Sequence, residues 1–167
     1  MMERFKEINP ELITDNVFEL IGNGWMLITA GNSFDYNTMT ASWGGFGVLW
    51  HKKICFCVIR PQRHTFTYIE NNQRFTLCFF EEKYRDALLY CGSHSGRDID
   101  KIINAGLTPV FGGAPYFAQA RLVIECKKIY YQDVDPSNFI DLTIADNYET
   151  KDYHRMYIGE IVRCLIK

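Results

Sequence analysis

The sequence predicts a mainly β domain, in which antiparallel strands form the core and a few helices lie at the periphery. Short runs rich in β-branched and aromatic residues recur along the chain, with turn-forming residues between them. Helical spacing is confined to a few stretches. No repeat, low-complexity tract or linker interrupts the 167 residues. Residues 1–167 are therefore expected to form one domain around one core.

Four segments have helical patterns. In residues 9–22, Asn9 supplies an N-cap and Pro10 suits the first turn, and apolar residues then recur at helical spacing up to Gly22. This pattern predicts one amphipathic helix. Shorter helices are predicted over residues 63–71, 84–91 and 98–105.

The extended segments account for most of the remaining chain. Pro61 ends one of them, and the local order around it is strand, helix, strand. The predicted strands cover residues 25–30, 38–43, 53–60, 74–80, 117–131 and 157–166.

The charge balance and the absence of targeting signals limit the possible partners. Eighteen basic and 20 acidic residues give a formal net charge of −2, which provides no positive field for nucleic acid. Residues 1–9 lack the apolar region of a signal peptide, and no apolar run approaches the ~18 residues that span a bilayer. We therefore expect a cytoplasmic protein that binds neither nucleic acid nor membrane.

The six cysteines are expected to be reduced and structural. Cys55, Cys57, Cys78 and Cys164 lie in apolar, strand-like contexts, where a thiol behaves as a small buried hydrophobe. No second pair of ligands matches Cys91 and its neighbours, so no metal site is predicted.

A first candidate site lies on the strand over residues 38–43. Period-2 alternation places Thr38, Thr40 and Ser42 on one face and apolar side chains on the other. A row of hydroxyls suits the polar edge of a ligand. The alternative is a half-exposed strand in which threonine is chosen for its β-propensity.

A second candidate site lies where a strand ends and a helix begins. Arg60, Arg63, His64 and Thr65 combine two guanidinium groups and a hydroxyl with the free N–H groups of a helix start, which are the parts of a phosphate site. Solvated surface arginines are the alternative.

A third candidate is the polar turn Ser95-Gly96-Arg97, which leads into a predicted helix. Arg97 is free to point into a cleft, while Asp98 or Ser95 is placed to cap the helix. Simple capping explains the turn almost as well. A dinucleotide-binding loop is not predicted, because the glycines of Gly44-Gly45-Phe46-Gly47 have the wrong spacing, and no P-loop is present.

Four motifs together resemble those of the flavin reductase-like, or flavoredoxin-like, family. They occur in the family's order over nearly the whole chain: Asn37-Thr-Met-Thr-Ala-Ser-Trp43, Arg60-Pro-Gln-Arg-His-Thr65, Cys91-Gly-Ser-His-Ser-Gly-Arg-Asp-Ile-Asp-Lys101 and His154-Arg-Met-Tyr-Ile-Gly-Glu160. The resemblance implies a split β-barrel that binds FMN and forms a homodimer, with the flavin at or near the subunit interface.

The resemblance also implies roles for individual residues. The isoalloxazine and ribityl chain would be lined by Thr38, Met39, Thr40, Ala41, Ser42 and Trp43. The phosphate would be held by Arg60, Arg63, His64 and Thr65, while Ser95, Gly96 and Arg97 would approach from another side. His64 departs from the tyrosine of many relatives, although both side chains donate hydrogen bonds.

The function implied is an NAD(P)H-linked FMN oxidoreductase that reduces free flavin or passes electrons to a partner protein. Such chemistry belongs to the cofactor, so the lack of a catalytic dyad in the sequence is consistent with an enzyme. His154 is the candidate for proton handling, as a histidine able to titrate near neutral pH; a structural histidine is the alternative. Two other functions are an electron carrier reduced by a protein donor and a non-catalytic FMN-binding or sensing module.

Overall fold

The computed structural model describes residues 4–167, and the first three of residues 1–9, which were considered as a signal peptide, lie outside the described part. Within it, no helix has the length and apolar character needed to cross a bilayer. The strands are β1 Lys6–Ile8, β2 Met26–Gly31, β3 Tyr36–Ala41, β4 Gly44–Leu49, β5 Lys52–Ile59, β6 Arg74–Phe79, β7 Pro109–Val110, β8 Tyr116–Phe117, β9 Leu122–Asp133 and β10 Arg155–Ile166. The α-helices are α1 His64–Asn71, α2 Arg85–Ser93 and α3 Lys101–Asn104.

Eight strands form one antiparallel sheet in the order β3-β2-β6-β9-β10-β5-β4, with β1 paired to β10. β3 and β4 lie at opposite ends of this path, yet only Ser42 and Trp43 separate them along the chain. In a flat sheet six strand spacings would put them about 29 Å apart, whereas so short a connection spans only about 10 Å. The sheet therefore curls into a barrel that is split between β3 and β4.

The core has two parts. Alternate residues of most strands fill the barrel, including Ile28, Cys57, Leu77 and Ile124. The opposite face of β2, β6 and β9 packs against α2, α3 and the short strand β8. All six cysteines are buried and free, as the sequence predicts.

The predicted helix over residues 9–22 is wrong. Asn9 caps only the 3₁₀ turn Pro10–Leu12, and Ile13 is already extended. The Asn16 side chain then accepts from two backbone N–H groups and begins a separate helical segment, which becomes the π-helix Glu19–Asn23. The apolar residues do not form one buried stripe, since Phe18 is 87% exposed.

Three other predictions needed correction. The strand over residues 38–43 ends at Ala41, and the chain turns into β4, which the sequence analysis did not predict. The strand over residues 117–131 is divided into β8 and β9. The helix over residues 98–105 shortens to α3, and its cap is Asp100 rather than Asp98 or Ser95 because the Asp100 side chain accepts from the Ile103 N–H.

Three connections between strands carry 3₁₀ helices, and one of these connections lies between β9 and β10. It contains the 3₁₀ helices Pro136–Asn138 and Leu142–Asn147. We call residues 134–154 the flap segment. It returns to the barrel beside the split and so forms part of the site described next.

Candidate functional site

A cleft of about 220 Å³ opens at the split of the barrel. We call it the barrel cleft. The end of β3 and the Ser42-Trp43 connection form one wall, and the ends of β5 and the flap segment form the other. Its lining residues are Met39, Thr40, Ala41, Ser42, Trp43, Val58, Arg60, Arg63 and His154.

The hydroxyls of β3 are only partly available to this cleft. The Thr38 side chain is fully buried, and its Oγ1 lies 2.8 Å from Thr29 Oγ1 and 3.1 Å from the Ile28 carbonyl oxygen. The Thr40 hydroxyl donates to the Leu88 carbonyl of α2. Of the predicted row, Thr40 and Ser42 line the barrel cleft, whereas Thr38 links β3 to β2 in the interior.

His154 forms the wall opposite β3. Its ring lies 5.1 Å from that of Trp43, and its Nδ1 is 2.9 Å from the Tyr148 hydroxyl oxygen. We assign that hydroxyl as the donor, because it has no other acceptor among residues 4–167. The proton of the neutral imidazole is then on Nε2, which is able to donate to a ligand.

Burial keeps His154 neutral. The side chain is 7% exposed, and burial together with the nearby positive charge of Arg60 lowers its pKa from 6.5 to about 4. The expectation that His154 titrates near neutral pH is therefore wrong. At pH 7 this residue is a neutral hydrogen-bonding group and does not take up or release protons.

Arg60 holds the flap segment against the barrel. Its Nη1 lies 2.6 Å from Asp152 Oδ2, its Nη2 donates to the Asn147 carbonyl oxygen at 2.8 Å, and its guanidinium lies 5.1 Å from the centre of the Tyr148 ring. Gln62 also donates to Asp152. Arg60 and Gln62 hold the pKa of the Asp152 carboxyl well below its usual range. The Arg60 guanidinium is thus engaged by the flap segment, at the edge of the barrel cleft.

A second cleft, of about 180 Å³, lies between the start of α1 and the end of α2. We call it the basic cleft. Arg63 lines both clefts and so marks where they meet. The basic cleft is lined by Gln62, Arg63, His64, Thr65, Gly92, Ser93, His94, Ser95, Arg97 and Lys101.

Three cations of the basic cleft have only carbonyl oxygens as acceptors. Arg63 donates to Gly92 at 3.3 Å, Arg97 donates to Gln62 at 3.2 Å, and Lys101 donates to Cys91 and His94 at 3.0 and 3.1 Å. Within the described chain none of the three forms an ion pair. Six other arginines do pair with carboxylates: Arg60, Arg74, Arg85, Arg121, Arg155 and Arg163. The contrast indicates a site for an anion, because Lys101 is buried and Arg63 is partly buried, and desolvated cations without counter-ions are costly.

The start of α1 adds further donors to this cleft. No described side chain caps α1, whose first residues are His64 and Thr65. Burial and the charges of Arg97 and Lys101 lower the pKa of His64, so its ring is neutral at pH 7. The Thr65 hydroxyl accepts from Asn37 Nδ2 at 3.0 Å and keeps its own proton for a ligand.

The polar turn of the third candidate closes the basic cleft. The Arg97 N–H donates to Ser95 Oγ at 3.2 Å, which sets the turn. A Cβ on Gly96 would lie 2.4 Å from Asn37 Oδ1, so only glycine permits this close approach. Ser95 and Arg97 line the basic cleft, while Gly96 lies behind it against Asn37.

Sequence reasoning missed three residues of the site. Asn37 supports both Thr65 and the Gly96 turn, Asp152 holds Arg60, and Lys101 lies under the basic cleft. Asn37 and Lys101 stand at the ends of two of the motifs, which is the one signal available for them. Asp152 has no such signal, because its partner is far away along the chain.

Comparison with known proteins places the chain in a family. The profile described as "Flavin reductase like domain" matches residues 18–167. The chain belongs to the flavin reductase-like family. No curated protein of known function shows significant similarity to it.

Solved structures of this family share the fold. An FMN-binding domain of flavin reductases-like enzyme from Shewanella baltica is 18% identical, with a TM-score of 0.72 over 99% of this chain and 78% of that one. Flavoredoxin of Desulfovibrio vulgaris is 24% identical, with a TM-score of 0.66 over 86% of this chain and 69% of its own. An NADH:FAD oxidoreductase of Streptomyces globisporus, solved with NAD and FAD fragments, is 18% identical, with a TM-score of 0.64 over 86% and 74%. They confirm the predicted split barrel.

Proposed function

We propose that this protein binds FMN and is an oxidoreductase that transfers electrons from NADH or NADPH to flavin, or through bound FMN to a partner protein. The observation that carries the proposal is the junction of the two clefts at Arg63. One cleft has aromatic and mixed polar walls, and the other holds three cations without counter-ions. A flat heterocycle joined to a phosphate has this combination of properties.

The residues present fit FMN. A phosphate of about two negative charges suits Arg63, Arg97 and the N-terminus of α1. Met39, Ala41 and Trp43 would offer apolar contact to a planar ring, and Ser42 would offer a hydroxyl to its polar edge. The Arg60 guanidinium, predicted to hold the phosphate, lines the barrel cleft and not the basic cleft.

FMN, when bound, supplies hydride and one-electron chemistry. The protein's own contribution is to bind and orient. Trp43 and His154 border the barrel cleft, and Arg60 holds the flap segment at its edge. The neutral His154 carries its proton on Nε2, so its part would be to hold a proton at that atom and, by donating it in a hydrogen bond, to orient the flavin ring.

A homodimer is part of the proposal. The barrel cleft of one chain is shallow and open, and Trp43 at its mouth is exposed. A second copy would cover that side. An electron-accepting protein is the further partner proposed, with neither nucleic acid nor membrane as a ligand.

Anaerobic spectroscopy tests the proposal. The purified protein should be yellow or become so with FMN, and NADH or NADPH should bleach the flavin absorbance. Arg63→Ala should weaken FMN binding at least tenfold, while Arg163→Ala, which alters a pair with Glu7 outside both clefts, should not. A protein that binds FMN but is reduced only by a protein or chemical donor is a carrier or a sensor. Failure to bind FMN contradicts the proposal.

His154→Ala separates orientation from structural support. If the Nε2 proton orients the bound ring, the rate of flavin reduction should fall by about 10²-fold, the usual effect of losing one aligned donor. Stopped-flow mixing with NADPH measures that rate. Unchanged kinetics in a folded variant would remove His154 from the mechanism.

A further inference from the structure

The flap segment carries three exposed apolar side chains. Ile140 is 100% exposed, Leu142 77% and Ile144 40%, and the three lie within five successive residues. None of the residues of the 3₁₀ helix Leu142–Asn147 is buried, so packing inside this chain does not account for these apolar residues. Apolar side chains clustered on a surface mark a contact with another molecule.

The same segment concentrates the negative charge of the protein. Five carboxylates and Lys151 give residues 134–154 a formal charge of −4, against −2 for the whole chain. Arg60 neutralises the carboxylate of Asp152. The other four carboxylates are exposed, and within residues 4–167 none of them forms an ion pair: Asp135, Asp141, Asp146 and Glu149.

Two of these carboxylates are held in place on either side of Ile140 along the chain. Asp135 Oδ1 accepts from the Ser137 N–H at 2.9 Å and from its hydroxyl at 2.7 Å. Asp141 Oδ1 accepts from the Thr143 N–H at 3.0 Å and from its hydroxyl at 2.7 Å. These hydrogen bonds lower the pKa of both carboxyls, so both are charged at neutral pH.

The acidic surface also borders the candidate site. Asp146 and Glu149 directly flank Asn147 and Tyr148, which the Arg60 guanidinium contacts at the edge of the barrel cleft. A molecule that contacts these two carboxylates is therefore held beside the cleft.

The sign of the charge selects among possible partners. A second copy that met this surface across a two-fold axis would bring one acidic flap segment against the other, and like charges across an interface are unfavourable. Nucleic acid and anionic lipid surfaces are repelled for the same reason. A protein with basic side chains around an apolar contact is complementary both to the carboxylates and to the exposed apolar residues.

We propose that the flap segment is the docking surface for the electron-accepting protein, and that this partner presents basic side chains around its redox group. The inference rests on the proposed function, in which electrons pass through bound FMN to a partner protein. Redox complexes have small interfaces, and charge steers their formation. For a one-electron acceptor, two molecules are reduced for each NADH or NADPH oxidised, and one proton is released to solvent.

Stopped-flow mixing with cytochrome c, a basic haem protein, tests the proposal. The FMN-loaded protein is first reduced anaerobically with dithionite, so that the result does not depend on the nicotinamide donor. The bimolecular rate constant should be at least tenfold higher at about 10 mM salt than at about 300 mM, because salt screens the attraction. Cytochrome c with acetylated lysines, which keeps the haem but loses the positive charge, should react at least tenfold more slowly at low salt.

Variants locate the surface. At low salt Asp146→Lys should lower the rate constant about three- to tenfold. Asp86→Lys makes the same exposed charge reversal on α2, outside the flap segment, and should stay within about twofold of native. Leu142→Ser should slow the reaction at both salt concentrations, since an apolar contact is not screened. Reoxidation by molecular oxygen, a small neutral acceptor, should be native in all three, which shows that the flavin site is intact.

Carbodiimide cross-linking, which joins a carboxylate to a contacting lysine, maps the docking surface without electron transfer. Cross-links to cytochrome c should concentrate in residues 135–149. Rate constants that do not respond to salt, equal slowing by Asp146→Lys and Asp86→Lys, or cross-links mainly outside the flap segment would each overturn the inference while leaving the proposed function intact. If the native chain binds no FMN, the proposed function fails and the inference fails with it.

Discussion

At His154, burial and the positive charge of Arg60 both lower the pKa of the imidazole, and the result is measurable as a pH dependence of stability. The unfolded chain takes up this proton near pH 6.5, and the folded chain only near pH 4. Between these values the unfolded state binds more protons, so the free energy of unfolding falls as the pH falls from 6.5 to 4. At 1.36 kcal/mol per pKa unit, the loss reaches about 3 kcal/mol.

Chemical denaturation at a series of pH values checks this prediction. His154→Gln removes the titrating group, so its unfolding free energy should change less over that window than that of the native protein. The control is His51→Gln, because His51 lies exposed in the turn between β4 and β5. A His154→Gln profile with the native slope would show that this histidine is not the group responsible.

At the scale of elements, one arginine fixes the position of the whole flap segment. Arg60, at the end of β5, reaches Asp152, Asn147 and Tyr148. We expect Arg60→Ala to lower stability by about 1–3 kcal/mol, as the loss of hydrogen bonds to a charged group does. The effect should be local, with faster amide hydrogen exchange over residues 142–154 and no change over β6.

Hydrogen-exchange mass spectrometry on Arg60→Ala, with Arg163→Ala as the control, tests whether the effect is confined to the flap segment. Arg163 pairs with Glu7 at 3.2 Å, but at the opposite end of β10. Uniformly faster exchange in Arg60→Ala, or none in the flap segment, would contradict the role of Arg60 as its anchor.

The elements also show what a sequence alone determines. α1, β5 and β6 were predicted closely because Pro61 and the alternating or helical spacing are local signals. β4 was missed because its glycines do not give a typical strand pattern. They permit a close approach of the backbone to its neighbour, since a Cβ on Gly44 would lie 2.6 Å from the Phe56 oxygen. The prediction of one helix over residues 9–22 failed because the Asn16 side chain begins a second, separate helical segment.

The site residues can be divided in the same way, into those that local sequence predicts and those whose state depends on the fold. Arg63, Ser95 and Arg97 were found because charged and capping residues at element boundaries are visible in the sequence. The engagement of Arg60 by Asp152 and the burial of Lys101 and His154 depend on contacts between distant segments. Fold-dependent burial decides their charge states, which local patterns do not encode.

At the scale of the whole molecule, a terminal strand of the sheet path lies beside an exposed apolar patch. β4 is the last strand of the sheet path, and the patch beside it comprises Val48, Leu49, Trp50 and Tyr130, with Val48 78% and Trp50 54% exposed. The Trp50 and Tyr130 rings lie 5.8 Å apart, which makes the patch continuous. Exposed edges and apolar patches of this kind are sites of association.

We expect the protein to be a homodimer that uses this patch, with FMN bound more tightly by the dimer than by the monomer. Val48→Asp places a charge in the interface and should raise the dimer dissociation constant at least tenfold, with weaker FMN binding at the same protein concentration. Ile140→Asp, at a fully exposed position of the flap segment, is the control and should leave both unchanged. Sedimentation velocity with and without FMN measures the association. A native chain that stays monomeric in the presence of FMN would contradict the dimer, and tight FMN binding by that monomer would show that one chain completes the site.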